Sequence, residues 1–217
     1  MSTGRRSTST PNGAPTISIG PAPIEFALAG GPIVRGLQWP GGPDTALLLH
    51  DVGGDLDAWG ALPVSLAAAE YRVVAVDLPG HGLSDDPWET EHAPDVLSEI
   101  VSATHGDAGR CFVVAIGGIA TLAARLAVDA LVAISPDAGQ PDMPAAPCLI
   151  FVGGGDPDAA NAADRFFRRR RGWAVVSSFG VRENGAALLT GAWSTHLAEQ
   201  TITFLRDYRT PPTRAGI

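Results

Sequence analysis

RVVAVDLPGHGLSD, residues 72–85, decides the fold. It opens as a short apolar run and closes on Pro79, Gly80 and Gly82, so it reads as a buried strand emptying into a turn. The same grammar extends to either side. Upstream, IEFAL (24–28) and PIVRGLQW (32–39) read as paired strands around Gly30 and Gly31, TALLLH (45–50) as a buried strand, and residues 57–70 as a helix. Downstream, helix-period stretches at 93–104, 117–128, 158–171 and 194–208 alternate with apolar runs at 111–116, 130–135, 148–153 and 173–179. Strands alternating with helices, and apolar on both faces, predict a mostly parallel sheet covered on both sides, a three-layer α/β/α sandwich. In such sheets ligands bind outside the carboxyl ends of the strands. Function is therefore expected in HDVGG (50–54), DLPGHGLSD (77–85), AIGG (115–118), SPDAG (135–139), GGGDPD (153–158) and GVRENG (180–185).

Composition narrows the classes. The 217 residues suit one domain, expected over 16–210 between tails at 1–15 and 211–217. A net charge of −8 argues against a nucleic-acid partner. Every basic residue is Arg, which excludes Schiff-base lysine chemistry and a phosphate-loop lysine. Cys111 and Cys148 both begin apolar runs, consistent with buried, reduced thiols. No apolar run reaches membrane-span length and residues 1–15 lack a signal-peptide core, so a cytoplasmic location without membrane contact is expected. No His or Cys spacing suggests a metal, and AIGG lacks the spacing of a dinucleotide loop, so no cofactor is expected.

Taken together, LLLHDVGGDLDAW (47–59), RVVAVDLPGHGLSD and CLIFVGGGDPD (148–158), in this linear order, resemble the α/β-hydrolase superfamily over residues 24–208. The resemblance implies an eight-stranded sheet, and the Pro-rich link 135–147 implies that no cap domain follows the sixth strand. It also implies a nucleophile in a G-x-S-x-G elbow after the fifth strand, an acid after the seventh and a His after the eighth. Laid over this chain, the elbow becomes Val113–Gly117 with Ala115 at the nucleophile position, and nothing from Phe112 to Ala120 carries a hydroxyl, thiol or carboxylate. The acid falls on Asp156. Asn184, before Gly185, takes the place of the His. The oxyanion donors fall at Val52 and Ile116, and Asp51 replaces the Gly of the family's His-Gly pair after His50.

Plainer roles stand beside each of these. Asp156 precedes Pro157 and reads equally as a helix cap. His50 and His81 match positions that tie loops together, and Asp51 either repels a developing oxyanion or points to solvent. Ser135 and Asp137 are a candidate relocated hydroxyl and acid, or a turn. His196, inside the closing helix, is a candidate substitute base. Arg168–Arg171 read as a solvated helix end.

The expectation is an α/β-hydrolase-fold protein with a degenerate triad. It acts as a cofactor-independent cyclase, lyase or isomerase on a small organic, secondary-metabolite-like substrate, in a cleft of Val52, Ala115, Ile116, Asp156 and Asn184. The alternatives are a pseudo-hydrolase that binds a small ligand without chemistry, and a hydrolase with a relocated nucleophile. A homo-oligomer is left open.

Overall fold

The computed structural model describes residues 20–29, 31–106, 109–138 and 146–209. The expected tails at 1–15 and 211–217 lie outside these, as does much of the link 135–147. Eight strands form one sheet among the described residues: β1 (Ala22–Ala27), β2 (Ile33–Trp39), β3 (Thr45–Leu49), β4 (Arg72–Asp77), β5 (Cys111–Ile116), β6 (Ala130–Ile134), β7 (Cys148–Gly153) and β8 (Ala174–Phe179). Their order across the sheet is β1-β2-β4-β3-β5-β6-β7-β8. β2 runs antiparallel to both β1 and β4, and β3 to β8 are mutually parallel. The expected antiparallel edge and parallel body are both present.

Among the described residues six α-helices flank the sheet: α1 (Leu62–Ala68), α2 (Ala93–Thr104), α3 (Gly117–Ala123), α4 (Pro157–Arg168), α5 (Ala186–Thr190) and α6 (Ser194–Asp207). The helix expected over 57–70 is split, because Gly60 at φ +51° ends a short 3-10 turn (Leu56–Trp59) before α1 begins. The stretch 117–128 is helical only to Ala123. There the amides of Arg125 and Leu126 fold back on Leu122 and Ala123, and the chain drops into β6. The short α5 was not expected from the sequence.

Strand alternation sorts the core into two layers. Phe112 and Val114 of β5 join Leu48, Leu62, Leu66, Leu197 and Phe204 beneath α1 and α6. Val113 and Ala115 join Leu47, Leu97, Ile100, Ile119 and Phe166 beneath α2, α3 and α4. Each large side chain so enclosed contributes about 1.5–3 kcal/mol of burial. Parallel pairing also aligns the carboxyl ends of β3 to β8 on one side of the sheet. The chain leaves β3 toward β4 and returns past it to β5, so the loops after β3 and β5 diverge and leave a crevice between them.

Candidate functional site

β3 and β5 are neighbours with Leu49 opposite Ala115. Two residues further along each strand, Asp51 and Gly117 leave the sheet side by side. The Asp51 carboxylate fills that gap. Its Oδ1 accepts the backbone N–H of Val52 at 2.9 Å and of Gly118 at 3.1 Å, and its Oδ2 has no hydrogen-bond partner among the described residues. Gly117 sits at φ +59°, and a Cβ placed there would overlap Asp51 Oδ2. Glycine is thus required twice at 117, by backbone conformation and by space.

This geometry corrects the register inferred from the sequence. Ala115 is wholly buried in β5 and faces the layer beneath α2 and α3, so it cannot line a cleft. Ile116 is 3% exposed and still pairs with Ile134 of β6, so it is a strand residue and not the donor at the turn. The bend is Ala115-Ile116-Gly117-Gly118-Ile119, two residues later than expected. Val113 leaves the strand end unmarked where a glycine would show it, and the Gly117-Gly118 pair is the local signal of the bend. At this bend the two backbone donors are Val52 N–H and Gly118 N–H, and Asp51 holds both. Val52 itself is 58% exposed, so the crevice opens to solvent.

The loop after β3 is fixed from below. His50 is fully buried, with Nδ1–H donating to Asp51 O at 2.8 Å and Nε2 accepting Leu78 N–H at 3.0 Å. Burial holds its pKa below the ordinary imidazole value, so it stays neutral. His81 Nε2 accepts Gly53 N–H at 2.9 Å. Asp77, 2% exposed, accepts Leu56 N–H at 3.0 Å through Oδ1 and Leu83 N–H at 2.9 Å through Oδ2. Its role in pinning both loops was not legible from the strand pattern.

A second network lies at the ends of β6, β7 and β8. Asp156 caps α4, its Oδ1 accepting Asp158 N–H at 3.0 Å and Ala159 N–H at 3.3 Å. Asn184 Nδ2 reaches Asp156 Oδ2 at 3.4 Å, while Asn184 Oδ1 accepts Gly153 N–H at 2.9 Å and the Ser135 hydroxyl at 3.0 Å. Ser135 Oγ in turn accepts Gly185 N–H at 2.8 Å, and Ser135 occupies φ +49°. Ser135, Asn184 and Asp156 therefore form one chain of hydrogen bonds. Its middle member is an amide, which cannot take up a proton at neutral pH.

Asp137 approaches the bend from β6. A side chain on Gly118 would meet its Oδ2 at 3.2 Å and Asp51 Oδ1 at 3.6 Å, so the two carboxylates flank one point. His196 is elsewhere: on α6, with Nε2 2.6 Å from Gln200 Nε2 and its ring against Phe179 and Trp193. No contact joins it to Asp51 or Asp156. The arginine run is not uniformly solvated either, since Arg170 is 9% exposed and lies over the Phe166 ring. Cys111 and Cys148 are free and buried, and burial raises both thiols to about 11. Among the described residues, no group of three or more His, Cys, Asp and Glu side chains is placed to hold a metal ion, and no helix is long and apolar enough to cross a membrane.

A family model described as the alpha/beta hydrolase family matches residues 46–215. Two curated proteins are similar over shorter stretches, each the dihydrolipoyllysine-residue acetyltransferase component of an acetoin cleaving system. The one from Cupriavidus necator is 46% identical over 63 residues, 29% of this chain and 17% of that protein. The one from Pseudomonas putida is 45% identical over 85 residues, 39% of this chain and 22% of that protein. These matches thus span less than a quarter of either relative's length. Among solved structures, an esterase of Pyrococcus furiosus superposes with TM-score 0.73 at 13% identity, covering 88% of this chain and 94% of that one. A predicted CIB-like hydrolase from Thermoplasma acidophilum gives 0.67 at 16%, covering 87% and 100%. At such identities the likeness is one of fold.

Proposed function

The chain belongs to the alpha/beta hydrolase family, and from that premise we propose that it is a non-hydrolytic enzyme that moves a proton on a small organic substrate, with Asp51 as the base. One observation carries the reading: the Asp51 carboxylate rests on Val52 N–H and Gly118 N–H above a bare Gly117. Those are the donors that a tetrahedral oxyanion would need, and the residue at the bend has no side chain to attack a carbonyl. An acyl-enzyme route to ester hydrolysis would need a nucleophile at the bend and those donors left open, which supports a non-hydrolytic reading.

A carboxylate held by two N–H groups through one oxygen keeps the other for the substrate. In this reading Oδ2 takes a proton from carbon, and the same proton returns to a different carbon in an isomerisation or leaves with the departing group in an elimination. Because Asp51 occupies the backbone donors, the site offers a developing enolate little help. The substrate must therefore carry an already acidic C–H, such as one between two carbonyls. In this reading Asp137, whose Oδ2 flanks Gly118, serves as the second acid or base. Asp156 is assigned to structure instead, since a cap and an amide occupy its oxygens.

The test does not need the native substrate. Small 1,3-dicarbonyl compounds are incubated with the protein in heavy water, and deuterium uptake at carbon is followed by NMR. The expected result is exchange above buffer that Asp51→Asn lowers by about 10²–10⁴-fold. Exchange equal to buffer, or unchanged in the variant, would overturn the assignment. A second reading, a ligand-binding protein without turnover, is favoured by the locked Ser135–Asn184–Asp156 chain. Its signature is thermal stabilisation by a dicarbonyl with no exchange.

A further inference from the structure

A cavity of about 530 Å³ lies between α6 and the amino-terminal starts of β7 and β8, away from the Asp51 crevice. Its walls are apolar, built from Leu149, Trp173, Val175 and Phe204. Trp173 and Phe204 meet edge to face with ring centroids 5.7 Å apart, and both rings belong to the wall. The rim comes from one stripe of α6, residues 196, 199, 200, 203 and 207, and it carries two carboxylates and no arginine. Glu199 lies 4.0 Å from His196. The Asp207 carboxylate has no hydrogen bond or ion pair among the described residues.

An apolar trough of this volume with a few polar groups at its edge has the make-up of a small-molecule site. Its charge selects the ligand. An anion would face Glu199 and Asp207, whereas an ammonium group gains the unpaired Asp207 carboxylate beside the aromatic wall of Trp173 and Phe204. Along the helix, Glu199 and Asp207 are separated by about 12 Å, the length of a phenylalkyl chain with a head group. We infer that this cavity binds an organic amine with an apolar body, independently of any chemistry at Asp51.

Three probes with one skeleton test the inference: 4-phenylbutylamine, 4-phenylbutanol and 4-phenylbutyrate, titrated by calorimetry into the full chain. The amine is expected to bind about tenfold or more tightly than either of the others, and Asp207→Asn to bring amine and alcohol level. Thr203 is exposed on the rim, so Thr203→Trp fills the trough without disturbing the core and is expected to abolish binding. Asp51→Asn is expected to leave amine binding unchanged, which separates this site from the crevice. Equal affinity for all three probes, or binding unaffected by Thr203→Trp, overturns the proposal. So does binding seen only after removal of residues 210–217, which would assign the trough to the chain's own segment. A dimer in sedimentation that Thr203→Trp dissociates would assign it to a second copy.

Discussion

The Asp51 carboxylate stands where a side chain at Gly117 would have to be. The two residues come from neighbouring strands, and each depends on the other. Asp51 can reach Gly118 N–H because residue 117 has no Cβ, and Gly117 tolerates no larger residue while Asp51 holds that position.

Installing a hydroxyl at the bend is therefore expected to damage the protein instead of activating it. Gly117→Ser combines a left-handed backbone with an overlap on the carboxylate and should cost roughly 3 kcal/mol. Asp51→Gly removes the overlap, so the double variant should recover part of that loss. The expected coupling in a double-mutant cycle from urea unfolding is about 1–3 kcal/mol. Additive losses would show that the two positions do not meet.

Asp156 gives a sharp contrast with Asp51. Its first oxygen caps α4, so Asp156→Ala should lower stability by about 1 kcal/mol, while Asp156→Asn, also a good cap, should lose little. Proton exchange on dicarbonyls should stay within a few-fold of wild type in Asp156→Asn. A loss there as large as in Asp51→Asn would return the catalytic role to Asp156.

Ser135 and Asn184 bind the end of β6 to the loop after β8. Ser135→Ala breaks the bond to Asn184 and leaves Gly185 N–H without its acceptor, an expected loss of about 1–2 kcal/mol in chemical denaturation. Ser135→Gly should lose less, because glycine relieves φ +49° at that position. A fluorophosphonate should label neither Ser135 nor any residue of the 115–119 bend in the wild type. Stoichiometric labelling at Ser135 would establish the relocated nucleophile instead.

His50 sets a pH dependence whose sign follows from burial. Its folded pKa lies below the ordinary 6.5, so below that value the unfolded chain takes up a proton that the native protein does not. The stability linked to His50 is complete above about pH 6.5 and is lost as the pH falls toward its lowered native value. Melting temperature should fall from pH 7 to pH 5, and His50→Gln, although less stable throughout, should show a shallower fall. Parallel curves for the two proteins would remove His50 as the cause.

Both thiols are buried with pKa values near 11, so very little thiolate exists at pH 8. Iodoacetamide at that pH should modify neither Cys111 nor Cys148 in the native protein and both in urea, as counted by intact mass. Rapid native labelling would contradict the burial of β5 and β7.

Periodicity and turn residues along the chain were enough to determine the layered sheet, its antiparallel edge and the set of loops that gather at one end. Alternation of period 2 or 3.6 and the placing of Gly and Pro are local properties, written in consecutive residues. The bend at Gly117 was misplaced by two residues because a strand's end is set by how long its neighbours continue to pair with it, here Leu49 on one side and Ile134 on the other. Only the tertiary structure could show that Asp51, 66 positions before Gly117, occupies the donors beside it. The same holds for His196, the candidate substitute base, which lies at the α6 trough and not at the crevice. Which atoms meet across a sheet depends on strand order and register, and those are settled by the packing of the whole chain.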